Sequence, residues 1–375
     1  MSMMRTDPER IRHMRQALEL ARKGEGRTAP NPPVGAVVVR NGKVVGEGFH
    51  SKAGEPHAEI FALQQAAERA HGADLYVTLE PCSHHGKTPP CVDAVIMAGV
   101  KRVFVGAVDP NPKVSGRGIE RLRQSGIEVH VGLLESDCQR LIVAFTRLIL
   151  TGRPLTIYKS AMTLDGNTAT WSGDSRWISG EKSRLMVHRL RDRVEAVMIG
   201  SGTALRDDPL LNTRLPENNG RDPLRVVVDS QLRIAPDCRM LKQRSLAGTL
   251  IATAVQSAET FKPLQDAGAE ILVLPDERDG VDLPALWQEL GKRNVQRLLL
   301  EGGARLATAA LKADLIDQMM IFIAPKVLGG SGFSGLFAGQ GCAKMSDALN
   351  LTNIAYVQID KDLLITGDVE RCSPA

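Results

Sequence analysis

The sequence predicts a protein of two α/β domains, on three observations. Its 375 residues exceed what one hydrophobic core ordinarily serves. β-Branched runs alternate with segments of helical spacing, the pattern of sheets covered by helices. One break, Thr151-Gly152-Arg153-Pro154, ends a helical segment and precedes a new strand, which sets the domains at 1–152 and 153–375. The composition, 43% apolar and 24% charged, is that of an ordinary globular protein and excludes a disordered, collagen-like or disulfide-stapled chain.

In the first domain Asp7-Pro8-Glu9 supplies an N-cap, a first-turn proline and a first-turn acid. Ile11, Met14, Leu18 and Ala21 follow at helical spacing. Val34 to Val39 is a β-branched run, Asn41-Gly42 a hairpin turn, and Val44 to Phe49 its partner strand. Helix 57–71 then leads to strand 74–79, helix 90–99 to strand 102–108, and helix 117–125 to strand 127–131, with a closing helix over 134–150. A hairpin followed by strand–helix repeats predicts one mixed sheet with helices on its faces.

In the second domain, strands are predicted near 155–161, 194–199, 224–229, 248–252, 270–274, 297–300 and 317–324. Helices are predicted near 180–192, 256–267, 282–293 and 303–313. Ile354 to Ile359 and Leu363 to Val369, joined by Asp360-Lys361-Asp362, read as an antiparallel hairpin at the sheet edge. The run Gly330 to Gly335 spells Gly-x-Gly-x-x-Gly, but it lacks the strand-to-helix context of a dinucleotide loop and carries no such inference.

The N-terminus has no apolar leader, and no stretch approaches about 18 uninterrupted apolar residues. Neither an export signal nor a membrane span is expected. Of six cysteines, Cys82 and Cys91 are neighbours while Cys138, Cys238, Cys342 and Cys372 are scattered, which suits free thiols in a reducing, cytoplasmic setting. The net charge of +4 lies wholly in the first part, with 20 Lys and Arg against 16 Asp and Glu up to Gly152 and 27 against 27 beyond it. Without a dense basic run, and with only 4% aromatics, this fits a phosphorylated small molecule better than nucleic acid.

The strongest chemistry lies in His57-Ala58-Glu59 with Pro81-Cys82 and Pro90-Cys91. One imidazole and two thiolates make a three-ligand zinc site with the fourth position left for water, the catalytic arrangement. Glu59 is placed to shuttle a proton between that water and the attacked ring. Helix N-termini beside the ligands favour the thiolate form. His84 and His85 are rival ligands, ranked lower because thiolates hold zinc more tightly. Zinc nucleobase deaminases carry His-x-Glu followed by Pro-Cys-x-x-Cys. Here eight residues separate the two cysteines, a departure that points to one branch of that superfamily.

The run Asn31-Pro32-Pro33-Val34-Gly35 opens the match to that branch. It is followed by Pro56-His57-Ala58-Glu59, and then by Glu80-Pro81-Cys82-Ser83-His84-His85-Gly86-Lys87-Thr88-Pro89-Pro90-Cys91. Together these resemble the riboflavin-biosynthesis deaminases, and the second part resembles the reductase fused to them. The resemblance covers essentially the whole chain. It implies an N-terminal cytidine-deaminase-like, three-layer αβα domain and a C-terminal dihydrofolate-reductase-like α/β domain. The implied reactions are deamination of a phosphoribosylaminopyrimidine at its 2-amino group, then NADPH reduction of the ribosyl group to ribityl. By position, His57, Cys82 and Cys91 would hold zinc and Glu59 would be catalytic, with Asn31, Lys87 and Thr88 meeting the base or ribose phosphate.

The reductase resemblance rests on Ala161-Met162-Thr163-Leu164-Asp165-Gly166, Gly173 to Ser179, Gly202 to Arg214, Asp229-Ser230 and Glu301-Gly302-Gly303. It implies that Ser175, Arg191, Leu211, Arg214 and Glu301 meet substrate. NADPH would be met by Ala161, Trp177, Thr203, Asp207, Ser230 and the run Gly303, Ala304, Arg305, Leu306, Ala307, Thr308, Ala309. Leu298 to Gly303, a strand running into glycines that open a helix, suits a pyrophosphate. Arginines suit a substrate phosphate as bidentate ligands. Arg191 nevertheless lies in Arg189-Leu190-Arg191-Asp192-Arg193, which by composition is a solvated face. No residue singles itself out as holder of the cofactor 2′-phosphate. The resemblance also implies a homo-oligomer assembled through the reductase domain.

Two other readings compete. A nucleic-acid base deaminase with an accessory binding domain would need a basic, aromatic-lined channel that this composition does not supply. A non-catalytic zinc-stabilised protein would ordinarily use four protein ligands rather than three beside a carboxylate.

Overall fold

The computed structural model describes residues 7–84, 89–112, 114–277, 280–330 and 335–370. The chain divides between Gly152 and Arg153 into two compact units. The first is built on strands β1 (Gly35–Arg40), β2 (Lys43–Phe49), β3 (Asp74–Leu79), β4 (Arg102–Ala107) and β5 (Glu128–Val131). They lie in the order β2-β1-β3-β4-β5, with β2-β1-β3 antiparallel and β3-β4-β5 parallel.

Alternation of side chains sends Ala36, Val38, Leu75, Val77, Val103 and Val105 to one face of this sheet. There they meet the helices on that side, which carry Ala58, Ala62, Val92, Val95, Ile119 and Leu122. Val37, Val39, Tyr76 and Phe104 point to the other face, against Met14, Ala17, Leu18, Leu141 and Phe145. This is a three-layer αβα sandwich. In chain order the helices are α1 (Pro8–Arg22), α2 (Ala58–Ala66), α3 (Cys91–Met97), α4 (Arg117–Gln124), α5 (Glu135–Leu141) and α6 (Val143–Thr151). Helix α1 starts as expected, with the Asp7 carboxylate accepting the Glu9 amide at 3.0 Å.

The predicted helix 57–71 instead ends at Ala66 and gives way to a 3-10 turn over Ala67–Ala70, with Ala67 at a φ of +49°. The predicted helix 134–150 is two helices broken at Ile142. Glycines let α2 lie close on the sheet: a Cβ on Gly46 would fall 2.0 Å from the Ala62 carbonyl, and one on Gly48 2.3 Å from that of Ala58. That close seating fixes the start of α2, where His57 and Glu59 sit.

The second unit holds nine strands: β6 (Leu155–Thr163), β7 (Ala196–Gly200), β8 (Leu224–Val228), β9 (Thr249–Thr253), β10 (Ala269–Val273), β11 (Arg297–Leu300), β12 (Gln318–Ala324), β13 (Leu351–Ile359) and β14 (Asp362–Val369). Their order is β10-β9-β8-β7-β11-β6-β12-β14-β13. The first seven in that order run parallel, and β14 and β13 close the edge antiparallel. Helices α7 (Glu181–Arg193), α8 (Ser201–Asp207), α9 (Arg239–Lys242), α10 (Lys262–Asp266), α11 (Leu283–Lys292) and α12 (Ala304–Lys312) connect them. Two of these, α8 and α9, were not anticipated, being too short to show a helical period. The core is centred on Trp287, Leu286, Leu290, Leu298, Leu300 and Ala307. Among the described residues, no helix is long and apolar enough to cross a membrane.

Candidate active site

The deaminase-type cluster gathers at the ends of central elements. Cys82 follows β3, His57 precedes the first turn of α2, and Cys91 opens α3. His57 Nδ1 lies 3.2 Å from Cys91 Sγ and 3.5 Å from Cys82 Sγ, and the three ligand atoms all fall within 4.8 Å of one another. Bond lengths of about 2.0–2.3 Å to a shared tetrahedral ion require separations of this size, so the set fits zinc. Among the described residues this is the one such group of three.

The Cys91 amide N–H points to Cys82 Sγ at 3.3 Å, the dipole arrangement that favours a thiolate. Hydrogen bonds from Cys91 and His57 bring the Cys82 thiol down to about 4 against its burial. Cys91 is pushed the other way by its bond to Cys82, by burial and by the nearby Glu59. His84 is exposed and lies outside the cluster, while His85, Lys87 and Thr88 fall outside the described residues.

Glu59 is 3% exposed, and burial followed by the Cys82 charge raises its carboxyl to about 7. A carboxyl balanced near neutrality suits a group that both takes and returns a proton. Asn31 joins the site through His50, which the sequence reading passed over. The imidazole of His50 is 2% exposed and packs edge-on to His57, with ring centroids 5.1 Å apart. Its Nδ1 donates to the Pro56 carbonyl at 3.2 Å, leaving Nε2 to accept the Asn31 amide at 3.1 Å. An isolated histidine after a strand carries no motif, so only packing reveals it.

In the second unit Glu301, at the end of β11, is gripped by Arg191 from α7. Nε donates to Oε1 at 2.7 Å and one terminal nitrogen to Oε2 at 3.0 Å. The other terminal nitrogen donates to the Asn212 carbonyl at 3.0 Å. The solvated face expected for this arginine-rich segment is therefore wrong at Arg191, which points inward. Three of its five N–H donors are taken by Glu301 and the Asn212 carbonyl.

Lys159 on β6, also unforeseen, lies 3.6 Å from Glu301 Oε2. Burial opposes the Glu301 charge, yet Arg191 and Lys159 hold the carboxyl down to about 2. Arg214 is exposed and bonds Asn212 Oδ1 at 3.1 Å and His188 Nε2 at 3.2 Å. Leu211, expected at the substrate, has its side chain in the core with Val194, Val197 and Ile199.

His188 is lowered to about 4 by burial, then by Arg191 and Arg214. The unfolded chain takes up that proton near pH 6.5 and the folded chain only near 4, so stability falls as pH drops through this interval. Urea midpoints should decline over that window, and His188→Gln should flatten the decline. Parallel pH curves for the two proteins would refute the coupling.

Two of the expected cofactor residues, Thr203 and Gly303, meet where β7 and β11 end side by side. Leu300 pairs with Met198, and the Glu301 amide bonds the Met198 carbonyl at 2.9 Å. Gly303 precedes the nine-residue helix α12, whose first amides have no side-chain cap hydrogen bond. A Cβ on Gly303 would sit 3.3 Å from Thr203 Oγ1, so bare backbone faces Thr203 here. The donor set fits a pyrophosphate.

Ala304, Arg305, Thr308 and Ala309 lie on the partly open side of α12, whereas Leu306 and Ala307 face the core. Trp177 is 61% exposed, with the Arg184 guanidinium 4.6 Å over its ring. Its carbonyl accepts from Lys326. The Asp207 carbonyl accepts from Arg176 at 3.0 Å, and that of Ser230 from the Ala254 amide at 3.3 Å. Ala161 and Ser175 are half-buried. The Gly330 to Gly335 run lies mostly outside the described residues.

Comparison with known proteins agrees with a deaminase-type first domain and a reductase-type second domain. The cytidine and deoxycytidylate deaminase zinc-binding region matches residues 8–107, and the RibD C-terminal domain matches residues 154–365. The chain is 44% identical over 356 residues to the riboflavin biosynthesis protein RibD of Actinobacillus pleuropneumoniae, covering 94% of this chain and 93% of that one. It is 43% identical over 368 residues to the Escherichia coli protein of the same name, covering 95% and 98%. The solved structure of Acinetobacter baumannii RibD superposes with a TM-score of 0.87 at 37% identity, covering 97% of this chain and 99% of that one. A Thermotoga maritima diaminohydroxyphosphoribosylaminopyrimidine deaminase/5-amino-6-(5-phosphoribosylamino)uracil reductase superposes at 0.84 with 36% identity, covering 96% and 99%. Full-length similarity at this level, together with the zinc-type cluster, places the chain in the RibD family of bifunctional deaminase and reductase enzymes of riboflavin biosynthesis, whose cofactors are zinc and NADPH.

Proposed function

We propose that this chain deaminates 2,5-diamino-6-(5-phosphoribosylamino)pyrimidin-4(3H)-one within 1–152 and reduces the resulting 5-amino-6-(5-phosphoribosylamino)uracil to its ribityl form within 153–375. The observation that carries the first half is the His57, Cys82 and Cys91 cluster with buried Glu59 beside it. When bound, zinc supplies Lewis-acid activation of the attacking water and NADPH supplies the hydride. Glu59 takes one proton from that water and delivers it to the ring nitrogen, then carries the second, from the added hydroxyl, to the amine that departs as ammonia. His50 holds the Asn31 amide where it can read a ring edge, and Lys87 and Thr88 are assigned to the ribose phosphate.

In the reductase, Arg191 keeps Glu301 ionised and oriented toward the sugar, and Lys159 adds a cation beside it. The phosphate falls to exposed Arg214, with Ser175 and the Leu211 backbone completing the substrate side. Ala161, Trp177, Thr203, Asp207, Ser230 and the amides from Gly303 onward take NADPH.

The test is NADPH oxidation by the zinc-loaded protein started with the diaminopyrimidinone. Oxidation that depends on this substrate supports both steps in one chain. Ammonia release without oxidation would remove the reductase assignment.

Five described cysteines are free, in keeping with a reducing cytoplasmic setting, and the modest charge favours small molecules over nucleic acid. The homo-oligomer is assigned to β13. This edge strand is nine residues long, lacks charge and proline, and leaves Ile354, Tyr356 and Val357 exposed. Such an edge is ordinarily covered or blunted, and a second copy of the same strand can pair with it antiparallel about a two-fold axis. Sedimentation as a dimer or larger at micromolar concentration is expected. A monomer there would overturn this assignment.

A further inference from the structure

The residues that leave β11, β7 and β8 emerge at one edge of the second sheet, because Leu300 is in register with Met198 and Gly200 with Val228. A pyrophosphate held at Gly303 would lie over β11 and β7. Strand β8 is two strand spacings from β11, ~10 Å, within reach of the adenine-side ribose of the same nucleotide.

The segment following β8 reads Asp229-Ser230-Gln231-Leu232-Arg233. At such a strand end an acid ordinarily pairs with the ribose hydroxyls of NAD, whereas a nearby arginine accommodates the 2′-phosphate of NADP. The sequence holds both, so it does not choose between them.

Tertiary structure makes the choice. Asp229 is fully buried, at 0% exposure, and its Oδ2 accepts the Ile234 amide at 2.9 Å. That carboxylate is turned into its own loop and away from any ribose. Its Oδ1 has no hydrogen-bond partner and sits 3.9 Å from Arg233 Nε, a charge that orients the guanidinium. The Arg233 side chain is 53% exposed, and one terminal nitrogen donates to Ser201 Oγ at 2.9 Å, directly after β7. The cation therefore stands over the nucleotide edge with donors to spare.

We propose that Arg233 holds the 2′-phosphate of NADPH, with Ser201 beside it and Asp229 as the buried group that positions it. The assignment makes Arg233 the residue that separates NADPH from NADH. It rests on the reading of the β7 and β11 strand ends as the cofactor site.

The experiment is calorimetric titration of the full-length, zinc-loaded protein with 2′,5′-ADP and with 5′-AMP, paired with the ratio of kcat/KM for NADPH and NADH. The wild type should prefer 2′,5′-ADP by ~10-fold or more, the size of one charge-assisted contact. Arg233→Gln should lose most of that preference and lower the NADPH-to-NADH ratio in parallel. Arg233→Lys should keep part of it, since an ammonium retains the charge without the fork.

A preference that survives in Arg233→Gln overturns the proposal. So does an equal loss of both nucleotides in a variant with the wild-type melting temperature, because that marks a structural role. Should Arg233→Gln fail to fold, the wild-type and Arg233→Lys titrations decide: an undiminished preference in the lysine variant counts against the proposal, and a partial one supports it. A wild type that binds both nucleotides without preference sinks this proposal alone. A wild type that binds neither nucleotide nor NADPH sinks the cofactor-site reading and the proposal with it.

Discussion

Glu59→Gln is expected to retain zinc and to lose deamination by about 10²–10⁴-fold, the scale of a positioned proton shuttle. The carboxamide fills the same buried space and keeps a hydrogen-bonding oxygen, so the fold and the His57, Cys82 and Cys91 cluster should survive. What it cannot do is accept and return a proton. Ammonia release and zinc content measured on one preparation separate these effects. Reduction of supplied 5-amino-6-(5-phosphoribosylamino)uracil should continue, because Glu59 lies in the first unit and the Glu301 cluster in the second. Loss of both activities in a well-folded Glu59→Gln would refute the division of labour. Cys82→Ser should behave differently, losing metal first and stability with it.

The second large effect is expected at Arg191. Arg191→Met removes a bidentate partner from Glu301, whose side chain is only 11% exposed, and leaves Lys159 at 3.6 Å as its remaining cation. Breaking a buried pair from one side typically costs about 3–5 kcal/mol, because the surviving charge stays desolvated. A fall of that order in unfolding free energy should accompany loss of reductase activity, with deamination retained. Arg191→Lys should recover part of the stability but less of the activity, since an ammonium cannot span both carboxylate oxygens. An Arg191→Met protein as stable as the wild type would show that Glu301 is protonated or solvated rather than paired.

How much of each site is legible in the sequence follows from how local its chemistry is. The zinc cluster is carried by short segments at helix starts and a strand end, where residue type and neighbouring proline already constrain the backbone. Cys91 opens α3 directly after Pro90, and His57 stands at the start of α2. The mixed first sheet is readable for a similar reason, since β-branched runs and the Asn41-Gly42 turn specify pairing between close neighbours. Helix limits were less readable. Ala67 breaks the predicted helix 57–71 through a backbone conformation no composition rule announces.

The proposed reductase site is assembled from distant pieces. Arg191 and Glu301 are 110 residues apart, and Lys159 comes from a third element. Composition placed Arg191 on a solvated helix face because a charged residue is usually outside. Only the packing of α7 against the end of β11 turns it inward. Leu211 shows the converse, a residue within a binding-type motif whose side chain goes to the core.

Taken alone, the sequence pointed to the two α/β domains, to His57, Cys82 and Cys91 as candidate metal ligands and to Glu59 as the candidate proton shuttle, because these depend on local spacing and on the intrinsic chemistry of His, Cys and Glu. The tertiary structure decided which charges face each other. It buried Asp229 against its own loop, left Arg233 at the open strand edge and paired Arg191 with Glu301. Charge pairing depends on distance and desolvation in space, and both are set by how the sheet orders its strands rather than by their order along the chain.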